Sequence, residues 1–210
     1  MGDRPSPLSA AAPPAPDAGE HVRLWLLRSA LALAEHATLV TATLDDLLQR
    51  HPALRGYVDE AARSGLEGLT LADALARLDD RLGRAATASH DSALPLDRLR
   101  HALDLDANGL TAFLLCGLCD EDPNLAPLID ELIGHDGRPI RPMLARCFPG
   151  ARIEAALAAL LDAGFLGEEQ LGRWRLLSVP PAIWSVLRGL APPAGVWRFT
   201  SRIDSGGNTR

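Results

Sequence analysis

From residue 21 to residue 50 the apolar positions step by three and four: Leu24, Leu27, Leu31 and Ala34, then Leu44, Leu47 and Leu48. That is the period of an amphipathic helix, and a stretch of Thr and Val over residues 38–43 weakens it in the middle. The pattern predicts one kinked helix or two helices, stopped before Pro52 because the residue ahead of a proline is driven out of the helical region. A shorter segment over residues 57–63 follows and ends at Gly65. Thr70, with Asp73 three residues on, reads as a helix N-cap, and Leu71, Leu75, Leu78 and Leu82 form the apolar stripe behind it.

The stretch GRAATASHDSA, residues 83–93, is small and polar and is the candidate boundary between two subdomains. Beyond it, residues 96–105 predict an amphipathic helix and Asp106 caps the next. LTAFLLCGLC, residues 110–119, is apolar on nearly every side and is expected to be a buried central helix. Residues 124–133 predict a helix ended by Gly134, GHDGRP a turn, residues 140–148 a short helix broken at Pro149-Gly150, and residues 151–163 a regular helix stopped by Gly164. Phe165-Leu166, a polar loop GEEQ, and residues 171–177 resemble two short strands joined by a turn. Residues 182–188, opened by Pro180-Pro181 and ended by Gly189, close the pattern. Three short helices and a hairpin make a winged helix-turn-helix.

The fold class expected is therefore mainly α: a Pro/Ala-rich disordered lead over 1–20, a helical subdomain over 21–93, a winged-helix-like subdomain with a short β-hairpin over 94–190, and a flexible tail or linker over 191–210. With 210 residues and 47% hydrophobic content, the chain can bury a substantial core. The most apolar stretch, residues 22–40, is interrupted by Arg23, Arg28 and Glu35, so no membrane span is predicted, and the first 20 residues lack the apolar centre of a signal peptide. Three cysteines, Cys116, Cys119 and Cys147, fit a reducing compartment, and the expected location is the cytoplasm.

All 21 basic residues are arginine. Without lysine there is no P-loop, no Schiff-base chemistry and no kinase strand lysine, so no enzyme is expected within these residues. The bias itself reads as the habit of a GC-rich genome. Other candidate chemistry is thin. Cys116-Gly-Leu-Cys119 has the spacing of a metal knuckle or redox dithiol but lies inside an apolar helix with no second pair, and reads as core. The six histidines are scattered, Asp120-Glu121-Asp122 lacks the alternation of a calcium loop, and His135-Asp136-Gly137 has no strained nucleophile beside it and reads as a turn. Neither catalytic residues, metal ligands nor a cofactor are expected.

DNA is the natural partner of a winged helix, but residues 96–190 carry nine arginines against thirteen carboxylates. The would-be recognition helix offers Arg152, Glu154, Asp162 and otherwise alanines outward, where base reading wants Arg, Asn, Gln or Lys. Docking on a protein suits that face better, with DNA or a purely structural face as the alternatives. The candidate interaction surface is Arg152, Ala155 and Ala159 on the helix with Arg173, Trp174 and Arg175 on the wing.

The phrases LDRLRHALDLDANGLTAFLLC, CDEDPNLAPLIDEL, GRPIRPMLARCF and WRLLSVPPAIWSVLRG, spread over residues 95–190, resemble the winged-helix region that precedes the ATPase module in AAA+ ATPases associated with bacterial extracellular contractile injection systems and related phage-tail-like particles. The resemblance covers under half of the chain and carries no catalytic signature. It implies a non-catalytic module that engages a protein partner or substrate, either the N-terminal piece of a larger ATPase or a stand-alone relative without the motor. The implied partner is a downstream ATPase module or a particle component. A DNA-binding regulator is the alternative function.

Overall fold

A computed structural model describes residues 17–40, 43–88, 94–148 and 152–190. Four helices build the first half: α1 (Ala18–Val40), α2 (Leu44–Arg50), α3 (Pro52–Ala61) and α4 (Leu71–Ala88). The weak stretch after α1 does separate two helices. Thr43 starts α2 with a full capping box, its hydroxyl accepting from the Asp46 N–H while the Asp46 carboxylate accepts from the Thr43 N–H. Pro52 occupies the first turn of α3, where its missing N–H costs nothing. Residues Ala62–Leu66 close α3 in a single wide turn whose Gly65 takes φ +82°, the left-handed conformation open to glycine. Thr70 meets Asp73 at the start of α4, its hydroxyl accepting from the Asp73 N–H at 3.1 Å.

The second half runs α5 (Pro95–Ala102), α6 (Ala107–Leu115), α7 (Leu118–Glu121), a 3-10 turn (Pro123–Leu125) and α8 (Ala126–Leu132). Then come β1 (Gly134–His135), β2 (Arg138–Pro139), α9 (Arg141–Cys147), α10 (Ile153–Asp162), β3 (Gly167–Leu171), β4 (Trp174–Ser178) and α11 (Pro181–Leu187). Asp106 caps α6 by accepting from the Gly109 N–H at 2.7 Å. β3 and β4 pair antiparallel, β1 and β2 likewise, and an isolated bridge from Ile140 to Leu176 joins the two hairpins. The chain is mainly α with a short β-hairpin, which follows α9 and α10 in the second half.

Four local expectations need correction. The apolar run over residues 110–119 is two helices, because Gly117 breaks it. The Trp184 ring of α11 lies so close that a Cβ on Gly117 would sit 2.2 Å from its Cζ2. GEEQ is β3 itself, and the turn is Gly172-Arg173, where Gly172 at φ +58° occupies the first central position of a two-residue loop. GHDGRP is a hairpin rather than only a turn: Asp136 and Gly137 both take positive φ, +54° and +70°, as a type I′ loop requires. The polar boundary begins inside α4, which continues through Gly83 to Ala88, and residues 89–93 lie outside the described residues. So do most of the lead (1–16), Pro149-Gly150 and the tail from 191 on.

One apolar core runs through both halves, from Val22 to Leu187. Its axis is α1, which packs against α4 on one side and α6 on another and touches α3, α5 and α11 as well. Among the described residues no helix is long and apolar enough to cross a membrane.

Candidate docking surface

α10 turns Ile153, Leu157 and Leu160 inward. They are spaced four and three apart, which puts them on one stripe and leaves the alanines to the other side. Ala156 marks the edge of the contact, packing against Gly109 of α6 so closely that a Cβ there would lie 3.1 Å from its own. Outside that edge, Arg152, Ala155 and Ala159 line a shallow cleft of about 230 Å³ against Leu103, Asp104 and Asp106 of the α5–α6 connection. Arg152 and Asp104 approach to 3.6 Å with side chains 75% and 89% exposed, a pair that solvent screens to little value.

Arg173, Trp174 and Arg175 sit on the wing, among other neighbours. Trp174 is half-buried, its ring 6.4 Å from that of His135 at the tip of the β1–β2 hairpin. The Arg173 guanidinium lies over the same ring, 4.3 Å from its centroid, a cation–π contact. The structure therefore brings the six predicted residues together in two patches of three: one on α10 and the α5–α6 connection, the other where the two hairpins meet.

The charges around both patches are largely spent on each other. Arg175 pairs with Glu168 at 3.2 Å, Arg138 with Glu169 at 2.6 Å and Arg141 with Glu154 at 2.9 Å. Glu154 and Asp162 stay exposed on α10 itself. A phosphate backbone approaching here meets arginines already neutralised by carboxylates on adjacent strands and helices.

The other sequence candidates are structural in their surroundings. Cys116 is buried, its thiol donating to the Ala112 carbonyl at 3.2 Å, and burial raises its pKa far above the ordinary value. Cys119, half-buried on the far side of Gly117, is pushed up to about 12 by burial and then by Asp130, Asp120 and Asp122, and burial alone takes Cys147 to about 12. All three remain thiols at neutral pH, whereas metal binding and redox attack need thiolates. Glu121 pairs with Arg188, and Asp122 caps the 3-10 turn by accepting from the Asn124 N–H at 3.1 Å. Among the described residues no three His, Cys, Asp or Glu side chains converge as a metal site.

What the sequence reading missed is a set of buried polar links that tie the two halves together. Arg28, 6% exposed in the middle of α1, makes a two-pronged contact with Asp79 of α4, at 2.5 and 3.1 Å, and donates to the Thr111 hydroxyl of α6. Trp25 lies beside it, the guanidinium 5.6 Å from its ring centroid. One turn earlier His21 is buried against Asp97 of α5, with Nε2 at 3.5 Å from the carboxylate and accepting from the Trp25 indole at 3.3 Å. Burial lowers the His21 pKa while the Asp97 charge pulls the other way. Buried His51 meets Glu131 of α8 at 2.8 Å, and Arg50 holds the same carboxylate, whose pKa it lowers. One signal pointed to Arg28: it follows Trp25 by three residues and precedes Leu31 by three, on the apolar stripe of α1.

No known protein family, curated protein or solved structure matches this chain.

Proposed function

We propose that the chain is a non-catalytic docking module, the N-terminal region through which an AAA+ type ATPase of a contractile injection system engages its partner or substrate in the bacterial cytoplasm. The observation that supports docking is the outer face of α10: alanines over a small cleft, flanked by Asp104, Asp106 and Glu154 where a DNA reader carries free positive charge. Alanine faces let a partner helix or strand approach closely, and interfaces draw their energy from a few anchors such as Trp174 and the arginines around it. The link to an ATPase rests on the resemblance of residues 95–190.

The test is a photo-crosslinking amino acid at position 155 in the producing cell, with adducts identified by mass. An AAA+ ATPase or a particle component, lost when Arg replaces Ala159, is the expected product. The purified chain is expected to show no ATP turnover and a flat anisotropy titration with duplex DNA at low salt. Submicromolar duplex binding with a steep salt dependence would replace this reading with the DNA-binding regulator, and turnover by the chain itself would end it.

A further inference from the structure

One stripe of α1 lines a cleft that it shares with α4, the start of α6 and the end of α9. α1 packs against α4 on one side and α6 on the other. Above its C-terminal half the cleft, of about 610 Å³, opens between α4 and residues 146–148 at the end of α9. Leu75 and Phe148 stand on the two walls, and the small residues Ala32, Ala72 and Ala76 line it with the polar Asn108 of α6. At the mouth the chain leaves Leu39 80% and Val40 63% exposed. Only four large apolar side chains are exposed among the described residues, and two of them stand side by side here. Adjacent exposed apolar residues at an apolar cleft mark an interaction site, where scattered ones do not.

The charges of the cleft single out its occupant. At the base Arg28 and Asp79 satisfy each other. His36 is held neutral at pH 7, burial keeping its pKa below the ordinary 6.5. That leaves Glu35 on α1 and Arg146 on α9, neither with an ion-pair partner among the described residues and each on a different side of the cleft. From these contacts we infer that the cleft is a second docking site, which receives an amphipathic helix of a partner protein carrying a basic residue along its α1 edge and an acidic one along its α9 edge. The cleft follows α1 from Ala32 to Val40, a little over two turns, so the helix presents apolar residues at i, i+3 or i+4, and i+7. The alanine lining lets its backbone come close. This site stands apart from the α10 face, and either can fail without the other.

The experiment is a display library of peptides of about 16 residues, selected on the full 210-residue chain and counter-selected on its Ala76→Trp variant. Ala76 and Leu39 are exposed, so Ala76→Trp and Leu39→Glu fill or spoil the cleft without touching the core, and matching melting curves verify this. The enriched peptides are expected to show helical apolar spacing with one acidic edge and to lose about tenfold or more in affinity to both variants. They should also lose to Arg146→Glu and regain binding when their acidic residue becomes Lys. Peptides that bind Ala76→Trp as well as wild type, or a library that yields no helical family, would overturn the inference. Peptides released by Ala155→Arg instead would place them on α10, sinking this site and leaving the proposed function intact. Dimerisation of the chain abolished by Ala76→Trp would assign the cleft to a second copy and overturn it equally.

Discussion

α1 and α10 are written in almost the same alphabet, runs of alanine and leucine with an occasional arginine and acid, and they do opposite jobs. In α1 thirteen of 23 residues are buried, among them a histidine, a serine and an arginine. In α10 only Ile153, Leu157 and Leu160 are buried out of ten. Composition does not separate them; periodicity does. The three- and four-residue steps predict an amphipathic α1, but residues 25–34 are buried on every side, because most positions between those steps are apolar as well; such a helix can be buried only as the axis of the molecule, with polar partners brought to it. α10 keeps its leucines on one stripe and presents alanine on the other, which is enough to attach it to α6 and leaves a face free.

That contrast fixes the order of mutational effects. Leu31, 1% exposed on α1, touches neighbours on several sides, and Leu31→Ala is expected to cost about 3 to 5 kcal/mol through lost transfer energy and a cavity. Ala155→Arg on α10 is expected to stay within about 0.5 kcal/mol of wild type. Urea midpoints of the two variants measure the difference, and equal losses would mean that α10 is as deeply packed as α1.

The arginines sharpen the comparison at the next level down. Removing Arg28 strands a carboxylate and removes a buried stem, but Asp79 keeps 43% side-chain exposure and rehydrates. Arg28→Ala should therefore cost about 2 to 3 kcal/mol, below the full penalty of a buried pair broken on one side. Arg28→Met, which keeps the stem, should recover part of that loss. Arg152→Ala, by contrast, removes a screened surface pair and should be silent in stability. If Arg28→Met proves more stable than wild type, the arginine is kept for specificity of packing or for the adjoining cleft.

A smaller effect comes from His21. Its folded pKa lies below the unfolded value of 6.5, chiefly because burial disfavours the charged imidazole. Between those two values the unfolded chain binds more protons than the folded one, so stability rises with pH across the window and is lost as pH falls through it. Half-buried His36 acts in the same direction, and the paired carboxylate of Glu131 does so in its own, more acidic window. Melting temperatures at pH 7.5 and pH 5.5 should therefore differ more for wild type than for His21→Gln. An unchanged difference in the variant would show that His36 or another group carries the acid sensitivity.

Much of the element order was legible because it is local: Thr70 and Asp106 cap helices through residues three positions away, and Gly65, Gly164 and Gly189 end them by taking positive φ. What escaped depends on distant partners. Gly117 inside an apolar run looks like a tolerated glycine until Trp184, 67 positions on, is packed against it. The β3 strand reads as a loop because Glu168, Glu169 and Gln170 are polar on both faces, as suits an exposed strand that must not recruit another edge. Arg28 reads as an interruption of the apolar stretch because Asp79 and Thr111, which make its burial tolerable, are 51 and 83 residues away. The outward alanine face of α10 could be read from the alanine spacing. Its separation from Trp174 could not, since that follows from the pairing of two hairpins.

A stability change well below that of a core truncation is expected at Trp174, where binding should respond most. Trp174 is half-buried and keeps company with His135 and Arg173, both exposed on the hairpin tips. Truncating it removes one cation–π contact and partial burial, about 1 kcal/mol together. Leu115, 1% exposed in α6, is expected to lose about 2 to 5 kcal/mol on the same change to alanine. If the wing belongs to the docking surface, Trp174→Ala weakens crosslinking to the partner captured from position 155 while leaving the denaturation midpoint nearly unmoved. If the midpoint falls as far as that of Leu115→Ala, the two hairpins hold the second half together through this ring, and the tryptophan serves the fold and not the partner. If neither midpoint nor crosslinking changes, the partner uses only the α10 patch, and the surface shrinks to Arg152, Ala155 and Ala159.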